Sequence, residues 1–235
     1  MSGARIVFSK ELRELRKSRS TVLTGIAFVL FFGTMYALRV FADSAAAGLE
    51  QSLSSVLFFL SSLLSVFLGY TMAGQVFLRE KIDGVIETLL CAPVRLDHIW
   101  LGKTAAVTAF ASVLAIAAAI LMSLVVSLRA GSPAVVSAPV VFHVLVGVPL
   151  LTACVVGGLG FVQLILGMKE NRIIGLALFI PVFAGLYGLG YTAAGTFVVS
   201  WPEVGLLSGA LAGVVALLMR ASRRINKERI VTSLP

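Results

Sequence analysis

The clearest short motif among the residues able to do chemistry is Gly102-Lys103-Thr104. Glycine, lysine and threonine in this order end the phosphate-binding loop of many nucleotide hydrolases, whose backbone N–H groups and lysine hold the phosphates. That loop also needs a glycine five positions before Gly102, and Asp97 stands there. The motif lies at the entrance to an apolar run rather than after a predicted strand. We therefore expect no nucleotide hydrolysis and no bound cofactor on this chain.

Two cysteines and two histidines are the remaining candidate nucleophiles and metal ligands: Cys91, Cys154, His98 and His143. The cysteines are far apart in sequence and have no metal-ligand spacing, so we interpret them as free thiols that pack as small apolar side chains. His143 lies inside an apolar run and has two interpretations. We favour a packed or interfacial histidine over a contact to a haem or metal. The sequence thus predicts no catalytic residue and no metal site.

The segment from Phe77 to Lys103 carries most of the charge found between apolar runs. It predicts a charged helix, a stop at Ala92-Pro93, and a second short helix that begins near Asp97 and leads into the next apolar run. Ile82, Ile86 and Leu89 or Leu90 share one helical face, and acidic side chains at Glu80, Asp83 and Glu87 flank that face. Such an apolar ridge suits docking into a groove on a partner protein. A helix that merely connects two membrane spans is the alternative.

Composition indicates the setting of these residues. The chain has 235 residues, of which 59% are apolar and 13% charged, and its mean hydropathy is +1.02. Too few charges remain to cover the surface of a soluble domain. We predict one all-α membrane domain over residues 1–235. The net charge of +8 does not indicate nucleic-acid binding, because the basic residues lie between uncharged runs and are not interleaved with aromatic residues.

Six uncharged runs of 19, 28, 25, 39, 30 and 16 residues separate the charged segments. A helix needs about 20 residues to cross the hydrocarbon core of a bilayer. The 39-residue run begins with the turn sequence Ala130-Gly131-Ser132-Pro133, so it holds one helix, bent at Pro149. Beyond Gly190 we expect a short broken or re-entrant piece. The predicted spans cover residues 20–38, 52–76, 104–128, 140–167, 173–190 and 204–219.

Lysine and arginine fix the predicted orientation of these spans. Alternating the loops between two sides places 17 basic residues on one side and only Arg39 and Arg129 on the other. Basic residues concentrate on the cytoplasmic side of membrane proteins. We therefore expect a multi-pass protein of the cytoplasmic (inner) membrane with both termini in the cytoplasm.

The N-terminal stretch is predicted to form an amphipathic helix over residues 5–19. Phe8, Leu12 and Leu15 recur at helical spacing, while Lys10 and the neighbouring basic residues face elsewhere. A helix of this kind lies in the membrane interface with its basic side toward anionic lipid head groups. A cluster of charges that only sets the topology is the alternative.

The run Arg79–Leu90, followed by Ala92-Pro93-Val94 and Leu101-Gly102-Lys103, resembles the ABC-2 family of transporter permeases. In that family an acidic-basic pair, a small residue, a glutamate and paired leucines precede a proline and a Gly-Lys. Six spans and a basic N-terminal helix agree with this resemblance over the whole chain. Val85-Ile86 replaces the commoner Thr-Leu before Glu87, which keeps the apolar face.

The resemblance implies that the segment between spans two and three is a cytoplasmic coupling helix that contacts a separate ATPase subunit. Two permease chains, identical or different, and two ATPase chains then form the transporter, and ATP and Mg bind to the ATPase. Glu80 and Glu87 are expected to make charged contacts to the ATPase or to the N-terminal helix. Gly84 allows close approach and Pro93 sets the bend. The complete predicted set for partner contact is Glu80, Ile82, Gly84, Ile86, Glu87, Leu90 and Pro93.

The expected function is that of the membrane subunit of an exporter for a hydrophobic or amphipathic substrate. The apolar spans lack acidic residues, so a proton- or ion-coupled secondary transporter, which is one alternative, would lack its usual groups. The other alternative is a permease of the haem-exporter type. The resemblance, more than the residues themselves, implies export.

Overall fold

The computed structural model describes residues 3–78, 95–165, 168–193 and 197–223. Throughout these residues the chain is helical between short connections. The helices are α1 (Gly3–Lys17), α2 (Arg19–Ala47), α3 (Leu49–Ala73), α4 (Leu96–Ala130), α5 (Ala138–Phe142), α6 (Val148–Ile165), α7 (Met168–Ala193) and α8 (Trp201–Ser222). The predicted all-α class is confirmed for this part of the chain.

Two π-helical turns extend or join these helices. Gly74–Leu78 continues α3, and His143–Gly147 joins α5 to α6. Pro149 has no N–H to donate, and its ring crowds the carbonyl four residues earlier, so a regular α-helix cannot run through this point without adjustment. The wider π turn lies directly before Pro149, where we expected a bend. A π turn has i to i−5 hydrogen bonds, so it interrupts the regular i to i−4 pattern of the α-helix at this point.

Five helical stretches are long and apolar enough to span a membrane: Arg19–Phe41, Leu49–Phe77, Leu96–Ala130, Ala138–Leu164 and Trp201–Ser222. They contain five of the six predicted spans, apart from a few residues at the end of the fourth. The segment predicted over 173–190 lies in α7, whose apolar stretch Gly175–Gly190 is shorter than the others. The chain is therefore a multi-pass membrane protein, and the sixth crossing stays a prediction.

Helix α3 lies at the centre of the bundle and packs against α2, α4, α6 and α7. It is the most buried of the candidate spans, whereas α8 is the least buried and packs mainly against α6. Buried apolar residues form two clusters. One lies at the end that carries α1, around Phe77, Trp100 and Leu164. The other lies toward the far end, around Leu57 and Met122.

Helix α4 begins at Leu96, close to the predicted start near Asp97. It runs unbroken to Ala130, so the short helix predicted to lead into the third span and that span form one continuous helix. Asp97 lies in its first turn, where a negative charge is favourable to the helix dipole. Gly131 ends the helix with a φ of 66°, a left-handed conformation that suits glycine.

Candidate functional site

The seven predicted partner-contact residues, Glu80 through Pro93, lie outside the described residues. The structure does describe the two helix ends on either side of segment 79–94. These are the π turn Gly74–Leu78, which closes α3, and the first turns of α4 from Leu96 onward. The candidate site is therefore built here from these two ends and from the helix that packs on them, α1.

Lys103 joins the three elements. Its Nζ lies 2.9 Å from Glu11 Oε1 on α1, and the two side chains are only 2% and 3% exposed. The same ammonium donates to the carbonyl oxygen of Val76 in the π turn at 3.3 Å. It also lies 5.9 Å from the centre of the Phe77 ring, within range of a cation–π attraction. One buried cation thus contacts α1 and the end of α3 from a position on α4.

Close backbone packing brings α1 into this position. A Cβ atom placed on Gly102 would lie 2.7 Å from the Ala4 carbonyl oxygen and 2.7 Å from Val7 Cβ, so only glycine leaves room for α1 here. The helix turns Val7, Glu11 and Leu15 toward α4, at a spacing of four residues. Because residues four apart share a helix face, Glu11 is buried between two apolar neighbours.

This face differs from the amphipathic face that we predicted. Leu15 is buried as expected, but Phe8 and Leu12 are only half-buried and line a cavity together with exposed basic side chains. The apolar pattern of the sequence pointed to Phe8 and Leu12 because it treated Glu11 as a surface residue. The partner of Glu11, Lys103, is 92 positions away, which the local pattern could not indicate.

Further contacts hold the same two helix ends to the rest of the bundle. Trp100 Nε1 donates to the Gly157 carbonyl oxygen at 3.1 Å and ties the first turns of α4 to α6. Thr21 Oγ1 lies 3.0 Å from Gln75 Oε1, which links the start of α2 to the π turn. A Cβ on Gly160 would lie 2.6 Å from the Phe77 ring, so that ring packs directly on the α6 backbone. Both borders of segment 79–94 are therefore anchored.

The energetic weight of this site lies in the ion pair. A buried charge that loses its partner must remain desolvated with nothing to balance it, which costs about 3–5 kcal/mol. Exposed pairs on the same helix, such as Lys10–Glu14 at 3.6 Å, contribute much less because water screens them. The charges of Glu11 and Lys103 are thus tightly coupled to the packing of α1.

A second buried polar group lies toward the far end of the bundle. The His143 ring is fully buried, 4.0 Å from the Phe58 ring centre and 2.8 Å from Ser62 Oγ through Nε2. The Ser62 hydroxyl has a single proton, which it donates to the Phe58 carbonyl oxygen at 2.9 Å. These contacts fit the tautomer in which Nε2 carries the hydrogen donated to Ser62 and Nδ1 is an acceptor. Among the described residues no donor reaches Nδ1.

The His143 ring is packed among protein groups, as in the packed interpretation of this residue. No group of three potential metal-ligating side chains occurs within the described residues. Cys154 likewise behaves as a small packed residue, with its Sγ donating to the Leu211 carbonyl oxygen at 3.3 Å. Cys91 lies in the part of the chain outside the described residues.

A cavity of about 390 Å³ opens beyond this histidine, where α3 and α5 begin. Its polar lining includes the Glu50 carboxylate, and its apolar lining includes Phe197, whose ring lies 5.8 Å from Phe58. Ser54 and Ser137 also line it, and their buried hydroxyl oxygens have no hydrogen-bond partner among the described residues. The far end thus combines histidine, serine and glutamate side chains with aromatic packing.

Comparison with protein families identifies the class. The family model described as ABC-2 family transporter protein matches residues 7–188, more than half of the chain. The chain therefore belongs to the ABC-2 family, and it is an integral membrane permease component of an ABC transporter. The predicted resemblance is confirmed. Among individual curated proteins, none matches this chain.

Sequence reasoning missed Glu11, and it used Lys103 as a topology charge, as part of a rejected phosphate loop and as part of the family motif, but not as a buried partner. One signal was available. Glu11 lies between Val7 and Leu15 on one face of the helix, and an acid on such an apolar face indicates a buried partner.

Proposed function

We propose that this chain is the membrane subunit of an ABC exporter powered by ATP hydrolysis in a separate ATPase subunit. Two copies of the chain, or this chain and a related one, pair with two ATPase chains that bind ATP and Mg. Membership in the ABC-2 family supports this assignment, because permeases of this class work together with an ATPase. The acid-poor spans suit a hydrophobic or amphipathic substrate.

Segment 79–94 is the proposed contact with the ATPase. The observation that carries this proposal is the anchoring of both its borders. Lys103 on α4 contacts the Val76 carbonyl oxygen at the end of α3, and both helices continue into the bundle. A force on the segment would therefore act on two membrane helices at once.

Ile82, Ile86 and Leu90 supply the apolar ridge, while Glu80 and Glu87 supply charged contacts. Gly84 allows close approach, and Pro93 bends the segment.

The proposed topology has six crossings and both termini in the cytoplasm, with α1 in the cytoplasmic interface. The 17-to-2 distribution of lysine and arginine supports it. Reporter fusions should place residues near 90 and 170 and both termini inside, and residues near 45, 134 and 197 outside. Finding the sites near 90 and 134 on the same side would refute the six-crossing arrangement.

Co-purification tests the ATPase contact. The permease is co-expressed with a candidate ATPase that carries a phosphate-binding loop and purified through a tag on the permease. Ile86→Asp should release the ATPase, because a charge on the ridge would be buried without a partner. Glu87→Ala should retain more of the ATPase but weaken its coupling to transport. Both variants must insert normally by the reporter assay. Full ATPase retention by both would show that the segment is only a connector.

A further inference from the structure

Lys103 is placed where a single side chain can bind α1 and the end of α3 together. The last carbonyl groups of a helix have no N–H partner within the helix, and a lysine from elsewhere can supply one. Here the Lys103 ammonium reaches the Val76 carbonyl oxygen at 3.3 Å and the Glu11 carboxylate at 2.9 Å. Both contacts come from one ammonium on α4, which follows segment 79–94, and they reach the end of α3, which precedes the segment, and α1.

We propose that Glu11 and Lys103 are positioning residues that make α1 part of the coupling apparatus. Their ion pair holds α1, the end of α3 and the start of α4 as one body, so that a displacement of segment 79–94 reaches all three together. This inference rests on the proposed function of that segment. It adds α1, with Glu11 and Lys103, to the residues that couple ATP hydrolysis in the partner to movement of the membrane helices.

Because Glu11 and Lys103 are buried, packing alone does not explain why both side chains are charged. An apolar pair of similar volume would pack α1 against α4 equally well, and it would avoid the desolvation of two ions. It would also leave the Val76 carbonyl oxygen without the Lys103 donor. An ammonium on α4 satisfies both the carboxylate of α1 and the carbonyl of α3, which explains why two buried charges stand at this position.

Hydrogen–deuterium exchange of the full-length permease in lipid nanodiscs tests the first part of the proposal without the ATPase. Glu11→Gln keeps the shape of the side chain but removes its charge. The amides of α1 should then exchange about tenfold faster or more, because the helix is released from α4 more often. Glu14→Gln is the matched control, since it makes the same chemical change three residues away on an exposed side chain. It should alter exchange by less than about twofold.

ATP turnover by the co-purified ATPase tests the second part. Glu11→Gln should retain the wild-type amount of ATPase, because segment 79–94 is unchanged, yet lose most of the change in turnover that the permease imposes. The exchanged pair Glu11→Lys with Lys103→Glu should restore protection of α1. It should not restore the effect on turnover, because a carboxylate at position 103 cannot donate to the Val76 carbonyl.

Two results would overturn the proposal: unchanged exchange and turnover in Glu11→Gln, or full recovery of both in the exchanged pair. If the exchanged pair fails to insert, Lys103→Met decides the matter, and it must lose both α1 protection and the effect on turnover. A wild-type permease that never retains or affects the ATPase would contradict the proposed function instead. The exchange of α1 would still report on the ion pair in that case.

Discussion

The two ends of the bundle bury polar groups in different ways. At the end that carries α1, a charged pair links three helical elements, and each ion balances the other. Toward the far end, a histidine bonds one serine and packs on a phenylalanine ring, and its other ring nitrogen has no hydrogen-bond partner among the described residues. The first arrangement depends on charge, and the second depends mainly on shape. Substitutions should therefore destabilise the α1 end when they remove a charge and the far end when they change the packing.

The largest expected effect is that of Lys103→Met. Methionine fills most of the volume of the lysine, but it leaves the buried Glu11 carboxylate with only the half-exposed Lys10 ammonium, 3.5 Å away, in place of the buried one. The free energy of unfolding in mixed micelles should fall by about 3–5 kcal/mol. Lys17→Met, which removes an exposed lysine from the last turn of α1, should cost less than about 1 kcal/mol. Equal losses for the two variants would contradict the charge dependence of the α1 end.

Gly147→Ala should have the next largest effect, and through shape alone. An added Cβ would lie 2.5 Å from His143 Nδ1, so the ring must shift in its packed site. Overpacking of this kind costs about 1–3 kcal/mol. In a His143→Ala background the same change should cost clearly less, because the clash is gone. Equilibrium unfolding of the four proteins in this double-mutant cycle measures the difference, and strict additivity would refute the clash.

Thr21→Val tests whether neutral bonds at the α1 end matter as much as the ion pair. The substitution removes the hydroxyl that lies 3.0 Å from Gln75 Oε1. Gln75 is exposed and can return to water, so we expect a loss of only about 0.5–1 kcal/mol. Thermal unfolding in nanodiscs should therefore rank this variant well below Lys103→Met. A comparable loss would mean that the π turn, rather than the charge, dominates this end.

His143→Leu should have the smallest effect. Leucine gives up one hydrogen bond to Ser62, but it also removes a buried acceptor that no described donor reaches. Ser62 keeps its bond to the Phe58 carbonyl oxygen. The change in unfolding free energy should stay within about 1 kcal/mol of zero. A loss above about 3 kcal/mol would show that this histidine has a partner beyond packing, and the comparison between the two ends would fail.

The sequence predicted the helices well because membrane insertion is a local property. Long apolar runs must be helical in lipid, and charges such as Arg19 and Arg129 mark where they end. Pro149 also predicted an irregular helix, and a π turn lies just before it, since the loss of an N–H is fixed by residue type. The start of α4 at Leu96 was predicted within a residue or two, and the short helix predicted there continues directly into the third span, because nothing local ends a helix between Asp97 and Lys103.

The candidate site was less predictable because its contacts join residues distant in sequence. Glu11 and Lys103 each looked ordinary in its own segment, and the pairing appears only when α1 packs across Gly102. Trp100 and Gly157 likewise meet through the approach of two helices. The motif in segment 79–94 identified the family, yet its residues lie outside the described structure, so the roles given to Glu80, Ile86 and Glu87 stay predictions.

The separation of Glu11 and Lys103 along the chain also has a consequence for biogenesis. Ribosomes add about 5–20 residues per second, so Lys103 follows Glu11, 92 positions earlier, by roughly 5–18 s. During this interval the Glu11 carboxylate lacks its buried partner, and both α2 and α3 are made before α4 exists. Docking of α1 against α4 is thus a late event of synthesis, and the buried ion pair cannot form before Lys103 has been added to the chain.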